Sequence, residues 1–320
     1  MKDDAVAPVV AAMLVLAVIV TVFSAWNAVL LPSLKQQSEM TQDREVIGAF
    51  SRFSSDISTA ASLKRDLTFS EPLPLGGGGT VFSPLTSAGT IRVNGEPYQL
   101  YNVTITDGGL NYIAEGRLVN FSYRPVGDFW LDQGYVWRYG YVNVTKGSSP
   151  HSADGAALST PLEYPTMENV TKSATIRKFA ASLTDIESRS WYNSSTNCSH
   201  ITLTSVTFQS EPGATYTSSN GIGTFALTST VNETGYGIPE TASPDAVTVY
   251  VNRVAHESFP LSLYVQCNRS FSELAAKYPG NIVHTFVSTP EYKMTRIAPV
   301  PGSLPFSVTY RNVAVNVSVQ

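Results

Sequence analysis

Histidine and cysteine, which commonly bind transition metals, are few in this chain of 320 residues: the four histidines, His151, His200, His256 and His284, are scattered, and there are two cysteines. His256-Glu257 lacks the second histidine that a zinc-protease helix requires. Cys198-x-His200 supplies two potential ligands, whereas a structural zinc site uses four. Asp128, Asp132 and Asp154 could contribute to a calcium site, but no Asp-rich loop has the necessary ligand spacing. The sequence therefore predicts no metal and no cofactor.

Sequence motifs of nucleophilic and phosphate chemistry give the same answer. The glycine run 76–79 is followed by Thr80 rather than by the Gly-Lys-Ser/Thr of a phosphate-binding loop, so it is interpreted as a turn. No Gly-x-Ser-x-Gly elbow occurs in the sequence. We expect a protein that is not an enzyme, and an anchored hydrolase with a divergent site is the remaining enzymatic alternative.

N-glycosylation is the one modification that the sequence favours. Asn-x-Ser/Thr triplets without proline at x are its acceptors in chains exposed outside the cell. Nine asparagines head such a triplet, namely Asn102, Asn120, Asn143, Asn169, Asn193, Asn197, Asn232, Asn268 and Asn316. Because strand side chains alternate between faces, four of these asparagines are predicted opposite apolar residues, on solvent faces: Asn102, Asn120, Asn268 and Asn316. A Ser/Thr-rich chain also produces some triplets by chance, but nine indicate an exterior location.

The two cysteines of the chain, Cys198 and Cys267, both lie in this exterior part. An oxidising compartment permits a disulfide between them. Closing a loop of that length would stabilise the fold by about 4 kcal/mol in the chain-entropy account. The alternative is a pair of buried free thiols.

The element that must hold the chain at a surface is the apolar run from Ala5 to Leu31. It contains no charge between Asp4 and Lys35. About 20 apolar helical residues are enough to cross a bilayer core. The apolar region of a cleaved secretory signal is shorter, about 7 to 15 residues. Residues 1–34 are therefore predicted to be a leader and a transmembrane helix.

Beyond this run the sequence keeps a helical period. Apolar residues recur three, four or seven positions apart at Val46, Phe50, Phe53, Ile57, Ala60 and Leu67. We expect one long helix from about Ala5 to Leu67 with a kink at Pro32. Its outer half, residues 35–68, is an amphipathic extension whose apolar stripe needs a covering surface.

From residue 69 onward, runs rich in Thr, Val and Tyr predict strands. The predicted strands are 90–93, 99–106, 117–123, 135–145, 201–208, 224–231, 246–251, 261–267, 282–288 and 306–319. A Gly/Ser/Pro-rich stretch, 147–165, separates a first β lobe at 69–146 from a second helix and second β lobe at 166–320. The second helix is predicted at 172–191, and a capping box at Ser270 and Glu273 predicts a short third one. The fold class is therefore α+β, a long N-terminal helix carrying a mainly antiparallel β head that allows two lobes.

Four aromatic residues, Tyr135, Trp137, Tyr139 and Tyr141, share one face of the predicted strand 135–145 with Asn143. If Asn143 carries a glycan, the end of this row lies near solvent and the rings are candidates for binding sugars or a neighbouring subunit. The alternative is that the rings pack under the long helix or another sheet.

The short polar leader and the opening Ala5-Val6-Ala7-Pro8-Val9-Val10, followed by an amphipathic rod and a β head, resemble an archaeal type IV pilin-like protein. The specific match covers about residues 1 to 35. The resemblance implies a leader removed by a prepilin peptidase, and assembly by dedicated machinery through the apolar helices. Many type IV pilins have Gly before the cleavage site and Glu at the fifth mature position, whereas this chain has Asp4 and Val9.

Small residues four positions apart give modest independent support for helix association. They are Ala7 and Ala11, then Ala17, Thr21 and Ala25. Such spacing lets helices approach closely within a membrane. An ordinary alanine-rich anchor is the competing interpretation.

The expected function is that of a non-enzymatic surface protein anchored by its N-terminal helix, a major or minor subunit of a type IV pilus-like filament. Its expected partners are membrane lipid and like or related subunits. The net charge of -4 leaves no basic stripe for nucleic acid. The alternative is a monomeric tethered envelope or adhesion domain that binds carbohydrate or protein. In both cases the C-terminal part is expected on the extracellular side of the cell membrane, and in the first case as part of a surface filament.

Overall fold

A long helical rod leads into a β-rich head in the computed structural model, which describes residues 6–77, 87–96, 98–126, 133–146, 160–161, 168–236, 244–252 and 258–320. The helices are α1 Val6–Ala25, α2 Leu31–Leu63, α3 Glu168–Ser182 and α4 Ser258–Lys277. The described residues also contain β1 Leu67–Pro74, β2 Ala88–Gly95, β3 Tyr101–Asp107, β4 Leu110–Gly116, β5 Val119–Val126, β6 Gln133–Arg138, β7 Tyr141–Lys146, β8 Thr160–Pro161, β9 Thr184–Trp191, β10 Ser194–Ser210, β11 Tyr216–Ser219, β12 Ile222–Tyr236, β13 Ala246–Asn252, β14 Ile282–Ser288, β15 Tyr292–Pro299 and β16 Ser307–Val319. The α+β class with a mainly antiparallel head is confirmed.

The rod is continuous, because a π-helical segment, Trp26–Leu30, joins α1 to α2. Leu31 donates its amide to the carbonyl of Trp26, five residues earlier. Pro32 has no amide hydrogen, and its ring would clash with a carbonyl one α-helical turn back. The wider π turn relieves that clash without ending the helix. The interruption predicted at Pro32 is therefore a local widening within the rod.

The rod ends slightly earlier than predicted. Lys64 adopts a left-handed conformation with φ of 50° and caps α2 through its amide, which bonds to the carbonyl of Ala60. Leu67, assigned to the helical stripe from the sequence, instead begins β1. The rest of the stripe is confirmed, because Val46, Phe53 and Ile57 are fully buried.

The strands form three sheets. Sheet I has the order β1-β12-β16-β10-β9, sheet II the order β11-β2-β5-β6-β7-β8, and sheet III the order β14-β15-β13-β3-β4. Only the β10–β16 pair among the described strands is parallel. Every sheet combines strands from before residue 147 with strands from after residue 159. Hydrogen bonding therefore does not follow the predicted division into lobes at 69–146 and 166–320.

The predicted strand at 261–267 is wrong, because these residues belong to α4. Leu263, Cys267, Phe271 and Leu274 are buried at helical spacing, and α4 packs on β13, β14 and β15 of sheet III. The apolar residues from 261 to 267 also alternate with period two, so this short run fits both patterns. The capping-box motif that begins at Ser270 lies inside α4 and starts no helix.

The helix predicted at 172–191 is correct only in its first part. α3 ends at Ser182, and the chain continues as β9, which pairs antiparallel with β10 at the edge of sheet I. Pairing with a long neighbouring strand outweighs the local helical period of residues 184–191, which propensity alone decides only weakly.

The predicted strand 135–145 contains a tight hairpin. β6 and β7 are joined by the two residues Tyr139 and Gly140, which have φ of 55° and 89°. Positive φ at both central residues is what a type I′ turn requires. Because the usual Asn-Gly pair is absent at this turn, the sequence pattern predicted one continuous strand over 135–145. The four aromatic residues therefore belong to two strands and a turn.

Gly140→Ala is expected to destabilise the head by about 1 to 3 kcal/mol. An alanine Cβ would lie 2.6 Å from Phe179 Cβ, in addition to the strain of a left-handed backbone. Gly109→Ala is the matched control, since Gly109 also has positive φ, at 82°, but open space around the added atom. Urea midpoints of the full chain in detergent measure both. Equal losses in the two variants would show that the contact with Phe179 has no energetic weight.

The centre of the core is an aromatic cluster where α2 lies between sheets I and II. The ring centroid of Phe121, in sheet II, lies 5.0 Å from each of three other ring centroids. These belong to Phe53 of α2, Phe225 of sheet I and Trp137 of sheet II. The apolar stripe of the rod thus obtains its cover from both sheets. This packing positions the exposed half of the rod relative to the head.

Candidate functional site: the exposed helix and its junction with the head

Helix α1 is the most unusual surface of the molecule, because it is apolar on all sides and packs against no described part of the chain. Its 20 residues correspond to about 30 Å of helix. The rod Pro8–Leu63 contains a stretch long and apolar enough to cross a membrane, with none of that stretch buried. Large side chains exposed by about half or more include Val9, Met13, Leu14, Leu16, Ile19, Val20, Val22 and Phe23.

Polar side chains inside this apolar segment bond back to the helix itself. Thr21 donates its hydroxyl to the carbonyl of Ala17 at 3.0 Å, and Asn27 donates its amide to the carbonyl of Phe23 at 3.0 Å. A spanning segment must satisfy its polar groups internally. These hydrogen bonds lower the cost of placing Thr21 and Asn27 in hydrocarbon.

The helix-packing candidates contact no packing partner among the described residues. Ala11, Ala17, Thr21 and Ala25 are all exposed, and the side chain of Ala7 lies outside the described residues. Association through these small residues therefore stays a prediction.

Where the rod meets the head, the buried stripe of α2 begins with polar residues. Lys35, Glu39 and Gln42 are each less than 10% exposed. Gln42 donates to the Tyr123 hydroxyl at 3.3 Å and accepts from the Ser87 hydroxyl at 3.2 Å. About two helical turns with buried polar residues thus separate the exposed apolar helix from the aromatic core.

The carboxylate of Asp43 completes this junction. Tyr135 donates its hydroxyl to Asp43 Oδ1 at 2.6 Å, and Gln133 donates to the same hydroxyl oxygen at 2.6 Å. Burial raises the pKa of Asp43, and the Tyr135 hydrogen bond lowers it by less. The pKa of Tyr135 is raised by burial and by the neighbouring carboxylate. The phenol therefore stays a donor at neutral pH.

Asp43→Asn is expected to stabilise the protein increasingly as pH rises above about 4, the ordinary pKa of aspartate. Because the pKa of Asp43 is higher in the folded state than in the unfolded state, the parent loses stability as the pH rises through the folded-state pKa. Asparagine keeps an oxygen that can accept from Tyr135 but carries no charge. Urea midpoints of variant and parent across this pH range test the sign. A difference that does not change with pH would contradict the assignment.

The aromatic row is structural, so its interpretation as a binding surface is wrong for three of its members. Tyr135 and Trp137 are fully buried and Tyr139 is 8% exposed, whereas Tyr141 is half-buried. Trp137 donates its indole NH to the Ser54 hydroxyl of α2 at 3.0 Å. The competing expectation, packing under the long helix, is what the structure has.

The glycosylation candidates divide by exposure. Asn193 and Asn232 are exposed. Five are half-buried, namely Asn102, Asn120, Asn197, Asn268 and Asn316. Asn143 is 8% exposed, and the side chain of Asn169 lies outside the described residues. The predicted register is confirmed for Asn102, Asn120 and Asn316, which alternate with buried residues along β3, β5 and β16, but not for Asn268, which lies in α4.

The predicted disulfide between Cys198 and Cys267 is contradicted, because both thiols are free and buried. Cys267 Sγ lies 3.5 Å from Thr184 Oγ1, at the start of β9, while Cys198 pairs with Ser190 near the end of that strand. Six strand residues span about 20 Å, far beyond disulfide reach. Burial raises the pKa of each thiol to about 11, so neither is activated as a thiolate.

The described residues contain no assembled hydrolytic site. His200 Nδ1 lies 2.7 Å from Ser307 Oγ, but its other ring nitrogen contacts Thr202 Oγ1 at 3.3 Å instead of a carboxylate. Burial and the nearby Arg189 lower the pKa of His200. The described residues also contain no group of three metal-ligating side chains. His256 and Asp128 lie outside the described residues.

The structure also brings together a polar cluster on sheet II that the sequence did not indicate. On sheet II, Arg138 donates to Glu96 at 2.9 Å, Asn120 donates to Glu96 at 3.3 Å, and Asn94 donates to Asn120 at 3.3 Å. Pairing between strands β2 and β5 brings Asn94 opposite Asn120. No local pattern could have identified it, because its members are up to 44 positions apart (138 − 94).

Comparison with known proteins gives no relative: no family model, no curated protein and no solved structure matches the chain.

Proposed function

We propose that this chain is a non-enzymatic, pilin-like surface protein, held in the cell membrane by α1 and acting as a major or minor subunit of a filament. One observation carries the proposal. A 20-residue apolar helix stands clear of the head, while the second half of the same rod is packed firmly into it. A soluble domain would leave this apolar area in water at a cost of about 25 cal/mol per Å².

The rigid connection between anchor and head supports the same proposal. The π segment keeps the rod continuous past Pro32, and Phe50 and Phe53 fix its outer half in the aromatic core. A flexible tether would need no such continuity, whereas a subunit whose helix packs among like helices requires a defined head orientation.

The orientation proposed is with the head outside the cell. Asn193 and Asn232, which are exposed acceptor candidates, support it. The leader peptidase and the assembly machinery implied by the resemblance belong to this proposal as partners, together with membrane lipid.

Glycan occupancy is expected to follow exposure in the folded head. Glycopeptide mass spectrometry of protein from its native source should find Asn193 and Asn232 occupied and Asn143 empty. Modification of the folded chain requires an accessible side-chain amide, and Asn143 is 8% exposed. Full occupancy at Asn143 with bare Asn193 would contradict the exposure rule and this orientation of β7.

Immunogold electron microscopy of intact cells, with antibodies raised against residues 68–320, tests the filament proposal. Gold along thin filaments is the expected result. Gold spread evenly over the envelope, with bare filaments, would overturn the subunit assignment in favour of a tethered binding domain. If fractionation of the same cells finds the chain absent from membranes, the proposed anchoring by α1 is overturned as well.

A further inference from the structure

The tip of the β9–β10 hairpin places an exposed glycan acceptor next to an aromatic residue. Trp191 and Ser194 pair across the two strands, so Tyr192 and Asn193 form the loop between them. Asn193 heads an Asn-x-Ser triplet, and both Asn193 and its third residue, Ser195, are exposed. The two side chains that sugar transfer reads are therefore open to solvent at this tip.

The second triplet at the same tip, which begins at Asn197, is closed by hydrogen bonds. Asn197 is half-buried and donates its side-chain amide to Ser194 Oγ at 2.7 Å. Ser199, the third residue of that triplet, donates its hydroxyl to the carbonyl of Arg189 at 3.1 Å. Attaching a sugar to Asn197 in the folded head would disturb these bonds. The hairpin tip therefore offers one open acceptor, Asn193.

Trp191 supplies a fixed aromatic surface two residues before Asn193. Its indole NH donates to the carbonyl of Pro305 at 3.1 Å, which holds the ring against the segment that leads into β16. The side chain is half-buried, so part of the indole stays in contact with water. A side chain that is already held loses little conformational freedom when another group packs on it. Tyr192, by contrast, is 100% exposed, so no neighbouring side chain holds its ring.

The covalent link selects the occupant of this surface. Two residues of chain span at most about 7 Å, so a sugar on Asn193 is held beside the indole of Trp191. A tether this short gives a local concentration in the millimolar range or above, which favours the attached sugar over any free one. The C–H face of a sugar ring carries a slight positive charge, and the face of an aromatic ring is negative. The two surfaces therefore attract each other.

We propose that Trp191 is the docking surface for the first sugar ring of a glycan on Asn193, and that this contact holds the tip of the hairpin closed. β9 is an edge strand with one neighbour in sheet I, so its end lacks a second strand to hold it. A sugar docked on Trp191 supplies part of that support. The inference rests on the proposed function, because it requires the head to lie outside the cell, where Asn193 is modified.

The test is hydrogen exchange, measured by mass spectrometry on peptides that cover residues 188–199. The full chain is purified in detergent from its native source and compared with Asn193→Gln, which keeps an amide but accepts no glycan. Loss of the glycan should speed exchange of the backbone amides at the tip by about fivefold, the factor expected for one lost ring contact in a segment that opens locally.

Three further variants, each prepared with and without the glycan, decide whether the indole is responsible. In Trp191→Ala the glycan should no longer change the exchange rate. Trp191→Phe keeps an aromatic face but cannot bond to Pro305, so the glycan effect should persist there. Tyr192→Ala is the matched control, and the effect should persist there as well. An equal glycan effect in Trp191→Ala and the parent, or its loss in Tyr192→Ala, would overturn docking on Trp191.

The remaining outcomes separate this inference from the proposed function. A native chain that stays in the membrane fraction with Asn193 bare, or with the sugar on Asn197 instead, would overturn the inference and leave anchoring by α1 in place. Absence of the chain from both membranes and filaments would instead overturn the proposed function.

Discussion

Phe121→Ala is expected to lower the free energy of unfolding of the head by about 3 to 5 kcal/mol, the range for removing a buried aromatic ring. Phe121 is fully buried, and its ring lies 5.4 Å from Phe50 and 5.0 Å from each of Phe53, Phe225 and Trp137. It touches α2, sheet I and sheet II at once, so no single neighbour can move to fill the cavity. Total stabilities of about 5 to 15 kcal/mol make this a large fraction.

Denaturant midpoints of the full chain in detergent, followed by tryptophan fluorescence, measure this loss. Phe286→Ala is the matched control, because the same side chain is 62% exposed there. Its expected change is within about 0.5 kcal/mol, as for most surface substitutions. Similar losses in both variants would contradict the position of Phe121 at the centre of the core.

Replacing Leu16 and Val20 together by arginine is expected to move most of the protein out of the membrane fraction. An arginine near the helix centre costs about 2.5 to 3.5 kcal/mol on the insertion scale, so two cost about 6. Large apolar residues each contribute about 0.3 to 0.6 kcal/mol, so the two charges cancel much of what the anchor provides. Leu16 and Val20 are 62% and 54% exposed, so the head itself should remain folded.

Carbonate extraction followed by immunoblotting gives the membrane-retained share. A variant with Ile222→Arg and Leu304→Arg adds the same charge to exposed positions of the head, at 75% and 48% exposure, and should stay in the membrane. If the anchor variant is retained as fully as this control, α1 does not hold the chain in the bilayer.

Local sequence patterns were reliable where one period dominates. Unbroken apolarity predicted α1, and the three-to-four spacing of Val46, Phe50 and Phe53 predicted the buried face of α2. Alternation along β16 placed Asn316 opposite its buried valines, as the structure confirms. In each case the side-chain period follows from the backbone geometry of the element itself. Such features need no knowledge of the partner surface.

Patterns failed where two geometries fit the same residues. Leu263 and Cys267 are two apolar positions that suit both a strand and a helix, and packing on sheet III selected the helix α4. At Tyr139 and Gly140 the chain reverses without the usual Asn-Gly pair, and Tyr139 packs on Phe259 with ring centroids 4.7 Å apart. Contacts that form only after folding outweigh propensities of a few tenths of a kcal/mol.

Composition and period alone specify an apolar N-terminal helix, an amphipathic continuation and strand-rich residues beyond it. Only tertiary contacts bury the aromatic row beneath α2, place Cys198 and Cys267 beside opposite ends of β9, and mix early and late strands in every sheet. Strand partners are distant in sequence, so only the folded chain brings these residues together and buries them.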